Sequence, residues 1–213
     1  MNHNQQKYKE AIRIITSCAK DYNKTLKGNN YIFIYKNRTT NTIEYFESVF
    51  LAHNFQHLTG IEFINKHGYL LHNPNFFYHK CINSTIKESE IRFKSDGTTE
   101  LKLKALPLIV NFLKSSKMTA IYNSTKPKLS IDRLAGTTNF CLGFTKGKKY
   151  YVPSSCILED IRNLSDTTYQ ILAIFSKPVS KATPVYRDVR YVAKGVNLHT
   201  LMLPPDLSAL IDI

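Results

Sequence analysis

Acidic residues are scarce in this 213-residue chain: 16 Asp and Glu stand against 29 Lys and Arg. The carboxylates are also scattered, which argues against a two-metal nuclease centre, because such a centre needs several of them clustered. Cysteine is sparse as well. Cys18, Cys81, Cys141 and Cys156 lie far apart without CxxC spacing, so neither a structural zinc site nor a secreted disulfide framework is expected. There is no GxxxxGKS/T loop, no GxGxxG after a strand and no GxSxG elbow. Apolar runs such as ILAIF at 171–175 fall far short of a bilayer span. The opening MNHNQQKYKE lacks the basic and apolar regions of a signal peptide. These absences predict a soluble protein of a reducing cytosol, with no membrane partner, no metal and no small-molecule cofactor.

What the chain does carry is positive charge. The net value is +13 and the pI about 9.5, which favours polyanionic partners, chiefly nucleic acid. Hydrophobic residues make up 43% of the chain, so one domain over 1–213 can bury a full core without disulfides or metal.

Tyr8, Ala11, Ile12, Ile15, Ala19 and Tyr22 recur at three- and four-residue steps, predicting an amphipathic helix over 4–25 that stops at Gly28. YIFIYK (31–36) and TIEYFESVF (42–50) read as an antiparallel hairpin, and 54–60 as a short link. Pro74 opens a second helix. Alternation on either side of Asp96-Gly97 predicts another hairpin, followed by a short helix at 107–116. Strands are expected at 118–124, 138–145, 149–155, 168–177 and 186–194, so the sheet-rich half spans about 117–196. LPPDLSALI reads as a small terminal helix. The expected class is α+β, with N-terminal helices and an antiparallel, strongly twisted sheet.

His53 and His57 are spaced to share a helical face, half of a zinc site, but the HExxH glutamate is replaced by Asn54. His57 precedes Leu-Thr-Gly, where glycine lets the backbone turn and present the ring. Cations thicken at Lys146, Lys148 and Lys149 in a turn, and again at Lys177, Lys181, Arg187 and Arg190. Tyr150, Tyr151, Tyr169, Tyr186 and Tyr191 interleave with them, a pattern suited to phosphate contact with base stacking and equally to a solvated sheet face. A metal-free ribonuclease needs only a base for the 2′-hydroxyl proton, an acid for the leaving 5′-oxygen, and donors for the phosphorane.

The series NFQHLTGI, NFFYHKCIN, LKALPLI, KMTAIYN, SIDRLAGTTNFCLGF, YYVPSSCILEDIR and YQILAIFSK, in order over about 8–196, resembles one bacterial and phage domain family. That family is the fourth class of phage-associated Barnase–EndoU–ColicinE5/D–RelE-like nucleases. The resemblance implies a helix-plus-antiparallel-sheet core and metal-independent RNA cleavage by a phage or mobile-element protein in a bacterial host. HLTG matches at His57. The family's lysine within the SIDRLAG segment is Arg133 here, and Ser154-Ser155 stand where Asn-Thr usually follows YVP.

Under this resemblance His57 is the general base or acid, Arg133 and Lys177 stabilise phosphate charge, and Ser155 and Tyr78 donate hydrogen bonds. Lys146, Lys148, Lys149, Lys181, Arg187 and Arg190 would hold RNA. Plain structural readings stand beside these: Arg133 paired with Asp132 or Asp160, Lys177 capping a strand end, Tyr78 a core aromatic. The rival expectation is a non-enzymatic, anti-CRISPR-type inhibitor that binds a host ribonucleoprotein, its effector or its guide RNA.

Overall fold

The computed structural model describes residues 3–125, 129–180 and 184–212. It begins with α1 (His3–Thr25), whose apolar stripe buries Ala11, Ile15, Cys18, Ala19 and Tyr22. Gly28, at φ 81°, turns the chain directly into β1 (Asn29–Asn37), which pairs with β2 (Thr42–Phe50) from Asn29↔Phe50 to Asn37↔Thr42. β1 is buried on both faces. Tyr31, Phe33 and Tyr35 join the main core, while Ile32 and Ile34 join a second cluster on the opposite side.

The expected link at 54–60 is a helix, α2 (Asn54–Thr59). The Asn54 side chain accepts from the Leu51 amide at 2.8 Å, Phe55 and Leu58 are buried beneath it, and Gly60 ends it at φ 68°. β3 (Glu62–Phe63) pairs with β4 (Ile91–Arg92), and α3 (Pro74–Ile82) starts where Asn73 accepts from the Phe76 amide.

The hairpin expected around Asp96-Gly97 is absent: a helix, α4 (Thr98–Ala105), follows the turn. Asp96 accepts from both the amide and the hydroxyl of Thr98, and Gly97 takes the left-handed conformation at φ 75°. Those bonds direct the chain into a helical turn rather than a returning strand. A 3₁₀ segment (Leu106–Asn111) and α5 (Phe112–Ser115) occupy the expected 107–116 helix.

Six further strands follow: β5 (Met118–Ile121), β6 (Arg133–Gly136), β7 (Cys141–Lys146), β8 (Tyr151–Ile157), β9 (Thr168–Pro178) and β10 (Asp188–Val192). A short helix, α6 (Pro205–Ser208), lies near the C-terminus. The sheet order is β1-β2-β8-β7-β6-β5-β9-β10, and β9 also pairs with β1, so seven strands close a ring. The expected antiparallel sheet is therefore corrected to a mixed one closed into a barrel. The β2–β8 seam is parallel and rests on Ser48↔Tyr151. Local alternation marks the β1–β2 and β7–β8 hairpins, but nothing within a strand specifies which distant edge it meets.

Eight strands, β1–β4 and β6–β9, send buried side chains into one core, together with α1–α5. Phe33 stacks on Phe46 with centroids 4.6 Å apart, and Phe144 touches both rings as well as Phe50 and Phe112. On the opposite face of the sheet, Ile32, Ile34, Ala173 and Phe175 are covered by Tyr186, Leu207 and Ile211. No helix among the described residues is long and apolar enough to cross a membrane.

Candidate functional site

α2 turns its apolar residues inward and leaves His57 exposed at the rim of a cleft of about 360 Å³. Gln56, His72, Lys94 and Lys102 line the same cleft. Lys102 comes from α4, and its ammonium donates to the His57 carbonyl at 2.8 Å and the Ser154 carbonyl at 3.4 Å. The Ser154 carbonyl is available because of a bulge. Gly143 faces Ser155 and Phe144 faces Pro153, leaving Ser154 without a partner across the ladder. One ammonium thus fastens α4 to both α2 and β8.

The cleft is electropositive. Two ammonium groups and two imidazoles face Glu62, whose carboxylate is held by Arg92 at 2.7 Å. Partial burial of the ring against the cleft pushes the His57 imidazole below its ordinary pKa, and the charges of Lys102, His53 and Lys94 push it further the same way. Burial likewise lowers the Lys102 ammonium, with Lys94 adding to the shift while Cys156 and Asp96 oppose it. A depressed imidazole is neutral at neutral pH and able to take a proton, whereas the ammonium beside it is suited to hold developing negative charge.

Gly60 is required by geometry. Its φ of 68° is the left-handed region, and a Cβ there would sit 3.0 Å from Lys102 Cδ and 3.2 Å from Thr99 Cα. Gly60→Ala is expected to cost at least about 1 kcal/mol in stability and to displace Lys102 from its two carbonyls. Denaturant melts check the first effect, and a changed His57 titration checks the second.

The other sequence-selected residues lie apart from His57. Arg133 sits with the main core's rings, its guanidinium carbon 4.9 Å from the Phe46 centroid, and donates to the Tyr35 hydroxyl at 3.0 Å. That hydroxyl in turn donates to Glu44 at 2.8 Å, so Arg133 pairs with neither Asp132 nor Asp160. Arg133 Nε is buried without a partner among the described residues. Lys177 lines a different cleft, which shares no residue with that of His57. Ser155 and Tyr78 are both buried, and the Tyr78 hydroxyl donates to Asn23 at 3.2 Å.

Lys146, Lys148 and Lys149 are exposed at the β7–β8 turn. Arg187 pairs with Asp212 at 2.9 Å, and Arg190 donates to Ser176 at 2.7 Å. Lys181 lies outside the described residues. Of the interleaved tyrosines, Tyr186 is fully buried, whereas Tyr150, Tyr151, Tyr169 and Tyr191 are half-buried. His53 and His57 gain no third ligand: among the described residues no three His, Cys, Asp or Glu side chains converge as metal ligands would. Lys102, Lys94 and His72 carry no sequence signal, because Lys102 meets His57 across 45 residues of chain.

Residues 14–186 match the family model described as phage-Barnase-EndoU-ColicinE5/D-RelE like nuclease 4, and the chain belongs to that family. Comparison with curated proteins yields no match, nor does comparison with solved structures.

Proposed function

We propose that this member of the phage-type nuclease family cleaves RNA in the His57 cleft without a metal. The observation that carries the reading is the meeting of a neutral-leaning imidazole, a second imidazole and two ammonium groups in one cleft. His57 takes the proton of the RNA's own 2′-hydroxyl. The resulting oxygen attacks the adjacent phosphorus, and Lys102 and Lys94 hold the charge of the phosphorane. His72 gives a proton to the leaving 5′-oxygen. The products are a 2′,3′-cyclic phosphate and a free 5′-hydroxyl.

The test is product analysis on structured RNAs. Cyclic-phosphate ends formed in the presence of EDTA support this chemistry. Loss of cutting in EDTA with recovery in magnesium defeats it, as does equal cutting of a substrate with a 2′-deoxy cleavage site.

The electrostatics add a signed expectation. A base must be neutral to act, so the acidic limb of kcat/KM falls below about pH 6.5, the ordinary histidine value. Lys102→Met removes a positive neighbour and moves that limb upward. An NMR titration of the His57 ring reads the same shift without depending on turnover.

A second reading is favoured by Lys146, Lys148 and Lys149, exposed and in no ion pair among the described residues. These charges suit an inhibitor that holds a guide RNA or its CRISPR effector complex and leaves the RNA whole. Intact RNA recovered in a stable, salt-sensitive complex selects this reading over cleavage. Removing Lys146 and Lys148 together flattens the salt slope by about one per lysine.

A further inference from the structure

A second cleft, of about 610 Å³, opens on the outer side of the sheet. Its floor is a cross-strand row in which Val49 of β2, Asn30 of β1 and Lys177 of β9 are register partners. The β7–β8 turn contributes Lys149 and Tyr150, and Glu47 and Pro184 also line it. The volume lies in the range of small-molecule sites.

Among the described residues, two buried polar groups on that floor are incompletely satisfied. Lys177 is only 8% exposed, yet its ammonium donates to the Pro184 carbonyl at 2.6 Å and lies over the Tyr186 ring, 4.2 Å from the centroid. No carboxylate stands within ion-pair distance of it among the described residues. Glu47, the one carboxylate among the described residues lining this cleft, accepts from the Tyr186 hydroxyl instead. A lysine this buried is ordinarily paired. Burial pushes its pKa down and Lys149 adds to the shift, although Glu47 opposes it. Asn30 is 5% exposed, and its side-chain oxygen has no hydrogen-bond partner among the described residues. The floor thus holds a cation in no ion pair and a buried acceptor without a partner among the described residues, with Glu47, a second cation and a phenol ring beside them.

We propose that this cleft binds a ribonucleotide bearing a phosphate monoester, with the phosphate between Lys177 and Lys149. A sugar hydroxyl donates to Asn30, and the base lies against Tyr150. A monoester carries up to two negative charges, which matches two ammonium groups, and the ribose supplies the donor that Asn30 lacks. The ligand is either a free nucleotide or the phosphorylated end of an RNA chain. This site stands independently of the cleavage reading, because it uses no residue of the His57 cleft.

Calorimetric titration of the full chain with AMP, its 2′,3′-dideoxy analogue and inorganic phosphate tests the proposal. AMP is expected to bind, the dideoxy analogue several-fold more weakly, and Lys177→Met is expected to weaken AMP by about tenfold or more. Lys149→Ala, at an exposed position, is expected to weaken AMP with an unchanged melting temperature, and it decides the matter if Lys177→Met fails to fold. Displacement of AMP by a 5′-phosphorylated oligoribonucleotide, but not by its 5′-hydroxyl counterpart, assigns the site to RNA ends. Displacement by neither assigns it to free nucleotide. Absence of AMP binding, or binding untouched by both lysine substitutions, overturns the proposal, whatever becomes of RNA cleavage at His57.

Discussion

Replacing His57 by alanine is expected to slow RNA cleavage by about 10²–10⁴-fold, the usual loss when a general base is removed. The fold should be spared, because His57 is exposed while its α2 neighbours Phe55 and Leu58 make the burial. RNA affinity should change little, since the proposed mechanism assigns phosphate charge to Lys102 and Lys94, which line the cleft, rather than to the neutral ring. His199→Ala supplies the comparison: that ring is exposed on a 3₁₀ turn near the C-terminus and lines neither cleft. Single-turnover rates on one RNA check the pair. Equal rates for wild type and His57→Ala would remove His57 from the chemistry.

Phe144→Ala is expected to destabilise the protein by about 3–5 kcal/mol, the range for deleting a buried aromatic ring. Phe144 is fully buried and touches Phe33, Phe46, Phe50 and Phe112, with centroids between 5.7 and 6.1 Å. Those four neighbours come from β1, β2 and α5, so the cavity would open where sheet and helix meet. At this chain length each kcal/mol lowers the melting temperature by roughly 2–4 °C, giving a fall of at least about 6 °C. Phe76→Ala, at a ring 49% exposed, should cost under about 1 kcal/mol. Phe144 also sits at the bulge that frees the Ser154 carbonyl for Lys102, so the same substitution should loosen the His57 cleft. Thermal melts with an activity assay well below the transition separate these two consequences.

What the sequence makes legible follows the range of the forces involved. α1, the β1–β2 hairpin and α3 are written in local periodicity and caps, and they form as read. Asp96-Gly97 shows the limit of a local signal: the same dipeptide turns a hairpin or starts a helix, and here Thr98 decides for the helix. β6 is missed because RLAG is too short for alternation to show. Barrel closure is missed because it depends on β1 meeting β9 and β2 meeting β8. The same reasoning applies to the candidate site. His57 is visible through its glycine turn, whereas Lys102 reaches it only after α4 packs beside α2 and a bulge in β8 turns a carbonyl outward. Arg133, chosen because it stands where the family's lysine lies, and Lys177, chosen with the cationic cluster around it, occupy separate surroundings.

The β1–β9 pairing also has a consequence for synthesis. β1 bonds to β2 on one edge and to β9 on the other, so its second edge waits for residues up to Pro178. A ribosome adding about 5–20 residues per second needs on the order of ten seconds to supply them. During that interval YIFIYK presents an unpaired edge, rich in β-branched and aromatic side chains, of the kind that recruits other nascent chains. Yield in cells should therefore depend on elongation rate and on chaperones that cover such edges, more steeply than the stability of the finished barrel would suggest.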